Sequence, residues 1–181
     1  SEYNSERDAM VRRLTVNTPD GVLHEQSICF REEPPFATEK PIKDLAADFK
    51  KFLWTRPMPV GVDIEALNVL KQACSERGHA FGVTIAYPGF QNWNSYLQGG
   101  VEALTYAEMD TPEILEEWCE IDTQRGAREM ELALEAGVDY ILLGGSGTIT
   151  MASPQLAQKY AVPALCKFSR LASAAGVPTM L

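Results

Sequence analysis

The chain has 181 residues, of which 45% are hydrophobic and 23% are charged, so it is long and apolar enough to form a packed core. Its formal net charge of -9 argues against a nucleic-acid partner, because proteins that bind a phosphate backbone usually carry basic patches. No segment is an apolar run of the ~20 residues that a membrane-spanning helix needs, and the charged start of the chain is unlike a signal peptide. We therefore expect a cytoplasmic protein with neither nucleic acid nor a membrane among its partners.

The first 37 residues are predicted to be an extended region that precedes the main helices. The apolar residues between 10 and 14 are compatible with one short helical turn. Thr18-Pro19-Asp20-Gly21 predicts a tight turn, because proline fixes φ and glycine accepts a positive φ. Residues 22–31 alternate partly between apolar and polar side chains, which favours one or two strands or a hairpin. The two prolines within 32–37 predict a loop.

Residues 38–181 are predicted to alternate amphipathic helices with buried strands. Apolar, β-branched runs predict strands at 80–87, 138–143 and 177–181. Helical spacing predicts helices at 38–53, 63–77, 101–109, 111–136 and 153–175. The second of these is expected to turn four side chains inward: Ile64, Leu67, Leu70 and Cys74. Because a glycine ends the helix before each strand, the order matches successive βαβ units with a parallel sheet.

The most informative stretch runs from Asp139 to Pro154. Tyr140 to Leu143 predict a strand buried on both faces, and the chain then leaves the sheet through Gly144-Gly145-Ser146-Gly147. Ser153-Pro154 has the chemistry of a helix start, with serine as N-cap and proline at the first helical position. A loop at the carboxyl end of such a strand is where parallel α/β folds bind ligands.

Ser146 is weighed as a hydrogen-bonding residue that lines a pocket and, alternatively, as part of a turn needed only to leave the strand. A nucleophilic role is disfavoured, because no histidine lies near it in sequence and no G-x-S-x-G motif is present. The chain also lacks G-x-G-x-x-G and G-x-x-x-x-G-K-[ST], so it has no sequence signal for a nucleotide phosphate.

Aromatic and amide side chains alternate between Phe90 and Gly100, with hardly a charge among them. Such a segment suits a half-buried wall that faces a flat organic ligand, and core packing is an equal alternative. Tyr96 is accordingly read either as a pocket hydroxyl or as a core residue.

The remaining candidates receive structural roles. His24 and His79 are interpreted as isolated structural or exposed histidines. Asp122 and Glu131 are interpreted as helix-surface carboxylates, and Asp139 as a carboxylate at the start of a strand.

Tyr140-Ile-Leu-Leu-Gly-Gly-Ser-Gly-Thr-Ile-Thr-Met-Ala-Ser-Pro154, followed by Tyr160-Ala-Val-Pro163, resembles the uroporphyrinogen decarboxylase superfamily. Tyr96-Leu-Gln-Gly-Gly100 and Gly137-Val-Asp139 are similar to two further segments of that family. Thr18-Pro-Asp-Gly-Val-Leu-His-Glu25 resembles the hairpin of its corrinoid-linked methyltransferase branch. The similarity runs from about Thr18 to Leu181.

The resemblance implies an α/β fold that is part of a (β/α)8 TIM barrel built from parallel βαβ units. The barrel is expected to be incomplete, because a closed one needs roughly 250 residues. One domain is expected over 1–181, with an extended or hairpin region at 1–37 and βα units at 38–181. The chain therefore looks like a fragment of a longer protein.

For function, the resemblance favours corrinoid-dependent methyl transfer between a corrinoid and a thiol-type acceptor, because of the hairpin at residues 18–25. The alternatives are decarboxylation of uroporphyrinogen III in porphyrin biosynthesis and a non-catalytic module that binds a tetrapyrrole or a corrinoid protein. The intact protein is expected to be an enzyme, whereas activity of the fragment is left open. The substrate-binding residues implied are Tyr96, Gly145, Ser146 and Gly147, and no catalytic residue is assigned.

The methyltransferase branch holds zinc on a His-x-Cys pair and a later cysteine. In this sequence the pair would fall at or beyond Leu181, so the resemblance implies no cofactor in this chain and zinc in the full-length protein. The implied partners are a tetrapyrrole or a corrinoid, the latter on a corrinoid protein. Open barrel edges also favour a homo-oligomer, because unpaired strand edges tend to pair with another chain.

Overall fold

A computed structural model of the protein describes residues 1–5, 8–144 and 151–181, and the chain forms two compact units. The first unit comprises Ser1–Pro57 and Trp93–Ile114. The second comprises Met58–Asn92 and Leu115–Leu181. The chain passes between the units at three points: after Pro57, within a short helix at Asn92, and within a long helix at Ile114.

The first unit is built on a four-stranded antiparallel sheet with the order β1-β2-β3-β4. Its strands are β1 (Glu2–Asn4), β2 (Ala9–Thr18), β3 (Gly21–Phe30) and β4 (Phe36–Glu39). Strands β2 and β3 pair over ten residues, from Ala9 opposite Phe30 to Thr18 opposite Gly21. The predicted turn is confirmed: Gly21 has φ of 130°, and the Thr18 hydroxyl donates to the Gly21 carbonyl over 2.7 Å. The short helical turn expected at 10–14 is wrong, because these residues lie within β2.

Two longer helices, α1 (Leu45–Leu53) and α4 (Gly100–Asp110), belong to the first unit. Asp44 caps α1 by accepting a hydrogen bond from the Ala47 N–H over 2.9 Å, and Phe49 and Phe52 bury the apolar face of this helix. The helix predicted at 38–53 is therefore too long at its start, where part of β4 and a bridge from Ile42 to Leu97 are found instead.

The second unit contains a three-stranded parallel sheet with the order β5-β6-β7. Its strands lie inside the three apolar runs: β5 (Gly82–Thr84), β6 (Tyr140–Leu142) and β7 (Thr179–Met180). Its helices are α2 (Ile64–Ser75), the short α3 (Phe90–Trp93), α5 (Pro112–Glu135), α6 (Pro154–Leu156) and α7 (Val162–Ala174), with a π-helix at Ala157–Ala161. Asp63 and Ser153 cap α2 and α6 as expected, accepting from Ala66 and Leu156.

The core of the second unit lies between the parallel sheet, α5 and α7. Its fully buried members include Met130, Ile141, Leu143, Phe168 and Ala172. Gly126 of α5 permits this packing, because a Cβ there would stand 2.4 Å from the Phe168 ring and 2.9 Å from the Ala86 carbonyl oxygen. Helix α2 contributes no buried residue, so the expectation that Ile64, Leu67, Leu70 and Cys74 all face inward is wrong.

The predicted fold class, part of a (β/α)8 barrel of parallel βαβ units, is wrong. The longest strands of the chain, β2 and β3, are antiparallel, and the parallel sheet of the described residues has only three strands of two or three residues. Apolar runs and glycine caps are local signals that place a strand, but they do not determine how many strands pair or whether a sheet closes. Among the described residues, no helix is long and apolar enough to cross a membrane.

Candidate functional site

The strongest candidate site of the second unit lies at the carboxyl edge of its parallel sheet. We call this region the carboxyl edge. It comprises residues 85–92 after β5, residues 143–144 after β6, and the helix residues packed beside them. Ligands of open parallel sheets bind outside the carboxyl ends of the strands, where the connecting loops converge. Ile85, Tyr87 and Leu143 are buried here, so the backbone at this edge is held by core packing.

Two amide side chains are fixed around Tyr87 at the carboxyl edge. The Tyr87 hydroxyl donates to Gln91 Oε1 over 3.3 Å, and Asn92 Nδ2 donates to the Tyr87 carbonyl over 2.5 Å. The Asn92 backbone N–H also bonds to the Gly89 carbonyl over 3.0 Å. The Pro88-Gly89 turn is thus closed by hydrogen bonds, which holds a phenol and two amides within one short segment.

An aromatic pair lies behind this segment. The rings of Phe90 and Tyr160 are stacked with centroids 6.3 Å apart, and both side chains are buried. Tyr160 belongs to the π-helix Ala157–Ala161, a distortion found frequently at functional sites. Its carbonyl accepts a hydrogen bond from Cys119 Sγ over 3.5 Å. The pair connects α3 to the π-helix and supports the Tyr87 segment from the buried side.

Among the described residues, Asp122 is the one charged residue that is buried, with only 7% of its surface exposed. Helix α5 ends at Glu135 and is followed by a turn at Gly137 and then by β6, so its earlier turns lie toward the carboxyl ends of the strands. Gly126 lies against Ala86, just after β5, and Asp122 is one helical turn closer to the start of α5. The carboxylate is therefore placed at the level of the carboxyl edge.

The sequence interpretation placed Asp122 on the helix surface, and the structure contradicts this. The available signal was its spacing: Asp122 falls on the same stripe of α5 as Leu115, Trp118, Gly126 and Met130, all of which are buried. A carboxylate within an apolar helical stripe is costly to bury and is therefore a functional candidate.

Cys119 is a thiol rather than a nucleophilic thiolate. Burial raises the pKa of the Cys119 thiol, and the nearby negative charge of Asp122 raises it further. A raised pKa keeps the proton on sulfur at neutral pH, so the side chain acts as a hydrogen-bond donor to Tyr160. The described cysteines form no disulfide.

Tyr96, one of the four predicted substrate-binding residues, lies in the first unit. Its hydroxyl accepts a hydrogen bond from Arg56 over 3.1 Å, and its ring lies 5.0 Å from that of Phe52. The Arg56 guanidinium is 5.2 Å from the centre of the Tyr96 ring, a cation–π distance. Tyr96 also lines a cavity of about 120 Å³ with His24 and Leu23. No sequence pattern pointed to Arg56, which lies just after α1.

The other three predicted substrate-binding residues, Gly145, Ser146 and Gly147, lie outside the described residues. Their roles, and that of Tyr96 toward a substrate, stay predictions. Asp139 has the structural role expected of it, since its carboxylate accepts the Phe81 N–H over 2.7 Å at the start of β5. His24 is exposed and its Nδ1 lies 3.1 Å from the Thr15 hydroxyl.

Within the part of the chain that the structure describes, no three His, Cys, Asp or Glu side chains group as metal ligands would. The zinc that the resemblance implies would be held at or beyond Leu181, so it stays a prediction. Comparisons with models of protein families, with curated proteins and with solved structures find no match. The function has to be argued from the residues of the site.

Proposed function

We propose that the carboxyl edge of the second unit binds a tetrapyrrole-type macrocycle, and that the intact protein transfers a methyl group between a corrinoid and a thiol-type acceptor. The observation that carries the proposal is the set of amides and aromatic rings fixed around Tyr87: Gln91, Asn92, Phe90 and Tyr160. A large flat ligand needs an apolar wall together with a few well-placed polar groups, and this edge offers both.

The polar groups of this edge favour a corrinoid over a porphyrinogen. A corrin ring carries neutral amide side chains, which pair well with the amides of Gln91 and Asn92. A porphyrinogen substrate carries carboxylates at its periphery and calls for arginine or lysine partners. Lys159, near Tyr160, already forms an ion pair with Glu116 over 2.9 Å. The described side chains around Tyr87 are therefore better matched to an uncharged periphery.

The proposal is confined to the ligand and the transferred group. It requires no barrel, and no step is assigned to zinc, because the described residues do not supply its ligands. Tyr96, Gly145, Ser146 and Gly147 keep the substrate-binding roles that the family resemblance implies. The bound macrocycle would rest against the segment around Tyr87.

A binding titration tests the proposal. Hydroxocobalamin and uroporphyrin are added separately to the protein, and binding is followed by absorbance and by quenching of tryptophan fluorescence. We expect saturable binding of the corrinoid that weakens about fivefold to tenfold in Gln91→Ala, in keeping with the loss of one hydrogen bond. Gln124→Ala is the matched control, because Gln124 is an exposed amide on α5. Absence of saturable corrinoid binding would overturn the proposal.

A second candidate, decarboxylation of a tetrapyrrole, is favoured by one observation, the buried carboxylate of Asp122. Loss of carbon dioxide leaves a carbanion that must take up a proton, and a carboxylate can relay that proton from solvent. The assay measures loss of uroporphyrinogen carboxylates in the full-length protein and in Asp122→Asn. If decarboxylation is the activity, the turnover rate of Asp122→Asn falls by at least tenfold while its melting temperature changes little. Binding without any turnover would instead indicate a non-catalytic module.

A further inference from the structure

A groove runs along the outer edge of β5 in the second unit, and its lining shares Ile85 with the carboxyl edge. It encloses about 330 Å³, a volume at the lower end of the ~300–1,000 Å³ typical of ligand sites. Most of its lining residues are aliphatic, and they come from the segment before α2, from α2 itself, from β5, from α5 and from the segment before β6. Among them are Val62, Leu67, Val83, Leu132, Ala133 and Val138.

The backbone of β5 forms one side of this groove. The Ile85 N–H donates to the Leu142 carbonyl, and the Phe81 carbonyl accepts from Asp139, so odd-numbered residues bond toward β6. Successive residues of a strand direct their N–H and C=O groups to opposite sides. The backbone groups of Gly82 and Thr84 therefore point away from β6, and Thr84 lines the groove. Within the described residues, β5 is the end strand of its sheet.

The charges of the groove cancel each other. Arg125 Nε and Glu129 Oε1 lie 3.0 Å apart, and both side chains are about a quarter exposed. Because this pair is neutral as a whole, the groove favours an occupant without net charge. A second copy of the chain is disfavoured, because two chains of formal charge -9 repel each other.

We propose that the groove binds an extended, uncharged segment of a partner polypeptide, which adds to β5 as a further strand. Main-chain hydrogen bonds to Thr84 would hold the segment in register, and its alternate aliphatic side chains would enter the space between β5 and α5. The exposed aliphatic residues near the groove support this occupant: Val60 is 96% exposed and Val62 is 37% exposed. The groove adjoins the proposed corrinoid site through Ile85, but peptide binding does not depend on corrinoid binding.

The test uses a capped, fluorescently labelled peptide of alternating threonine and valine, with binding measured by anisotropy. We expect saturable binding, and about tenfold weaker binding to Thr84→Pro, because proline removes the N–H that points into the groove. Thr84→Val is the matched control, since it keeps the N–H and the β-branched shape. Wild-type affinity in Thr84→Pro would show that no strand is added and would overturn the proposal.

A second pair of variants avoids any effect of proline on folding. Val62→Glu places a charge in the uncharged groove and should weaken peptide binding about tenfold, whereas Val69→Glu, at a position 68% exposed on α2, should not. Equal affinities in these two variants would overturn the proposal. So would the absence of saturable binding, or sedimentation showing a dimer that Thr84→Pro dissociates, since the occupant would then be a second copy.

Discussion

The two sheets of this protein are stabilised in different ways. Strands β2 and β3 of the first unit pair over ten residues, yet most side chains of β2 are exposed. Strands β5, β6 and β7 have only two or three residues each, and helices cover them so closely that Ile141 is completely buried. The antiparallel sheet therefore depends mainly on its own hydrogen bonds and turn, whereas the parallel sheet depends on side-chain packing. Substitutions in the two units should reveal this difference.

The largest expected effect is the loss of a core aromatic ring in the second unit. Phe168 of α7 is fully buried against the parallel sheet and Gly126, so Phe168→Ala should lower the free energy of unfolding by about 3–5 kcal/mol. The matched control is Phe36→Ala in β4 of the first unit, where the ring is 48% exposed, and its cost should be about 1 kcal/mol or less. Urea denaturation followed by circular dichroism measures both. Similar losses in the two variants would contradict the comparison.

The next effect concerns the close approach of α5 to the parallel sheet. Alanine normally stabilises a helix interior by about 1 kcal/mol relative to glycine. At Gly126 the added Cβ would meet Phe168 and the backbone of Ala86, so Gly126→Ala should destabilise the protein by about 1–3 kcal/mol.

The control for this substitution is Gly61→Ala. A Cβ at Gly61 has no heavy atom within 4 Å, and its cost should be close to zero. Thermal denaturation compares the two variants. A Gly126→Ala protein as stable as Gly61→Ala would show that α5 can move away from the sheet without loss.

The hairpin of the first unit depends on its turn. Gly21 has a φ of 130°, which side chains rarely adopt, so Gly21→Ala should cost about 1–2 kcal/mol. Asn17→Ala, at an exposed position of β2, should change stability by no more than about 0.5 kcal/mol. Hydrogen exchange of β2 and β3 amides distinguishes local opening of the hairpin from global unfolding. If the amides of β5 and β6 lost protection to the same extent, the turn would control more than its own sheet.

These differences also explain how much the sequence could predict. The strands of the parallel sheet fall within the predicted apolar runs, and the caps at Asp63 and Ser153 are confirmed, because capping and burial leave strong local patterns. Strand β2 was not predicted, because its exposed, charged residues, such as Arg12 and Arg13, show no pattern of burial. It forms by pairing with β3, which a local sequence pattern does not reveal.

The candidate site was predicted less well than the strands. Residues Phe90 to Gly100 were expected to form either a ligand-facing wall or part of the core, but the hydrogen bonds that organise the turn before Phe90 depend on its fold. The burial of Asp122 depends on which face of α5 meets the core, and Arg56 approaches Tyr96 only through tertiary packing. The barrel prediction failed for the same reason, because the number of paired strands is a tertiary property.

The smallest expected effect is a pH dependence in the first unit, at Asp48 of α1. Burial opposes ionisation of this carboxyl. The hydrogen bond and charge of Lys51, with the backbone N–H groups of Lys43 and Asp44, outweigh burial and lower the pKa of Asp48 below its usual value. A lowered pKa stabilises the fold above the pKa of the unfolded state, and this contribution is lost as the pH falls through the folded value. Asp48→Asn should therefore cost about 0.5–1 kcal/mol at pH 7, as expected for a partly exposed pair.

The difference between wild type and Asp48→Asn should shrink as the pH is lowered below about 4, where the wild-type carboxyl also becomes neutral. Urea titrations at several pH values measure it, with Asp20→Asn, an exposed partner of Trp54, as the control for a general effect of charge. A difference that stays constant down to pH 2 would mean that the amide disturbs packing rather than charge. If instead the difference disappears in acid, the hydrogen-bonded carboxylate of Asp48 in α1 contributes to the stability of the first unit. The second unit obtains its stability mainly from its buried core.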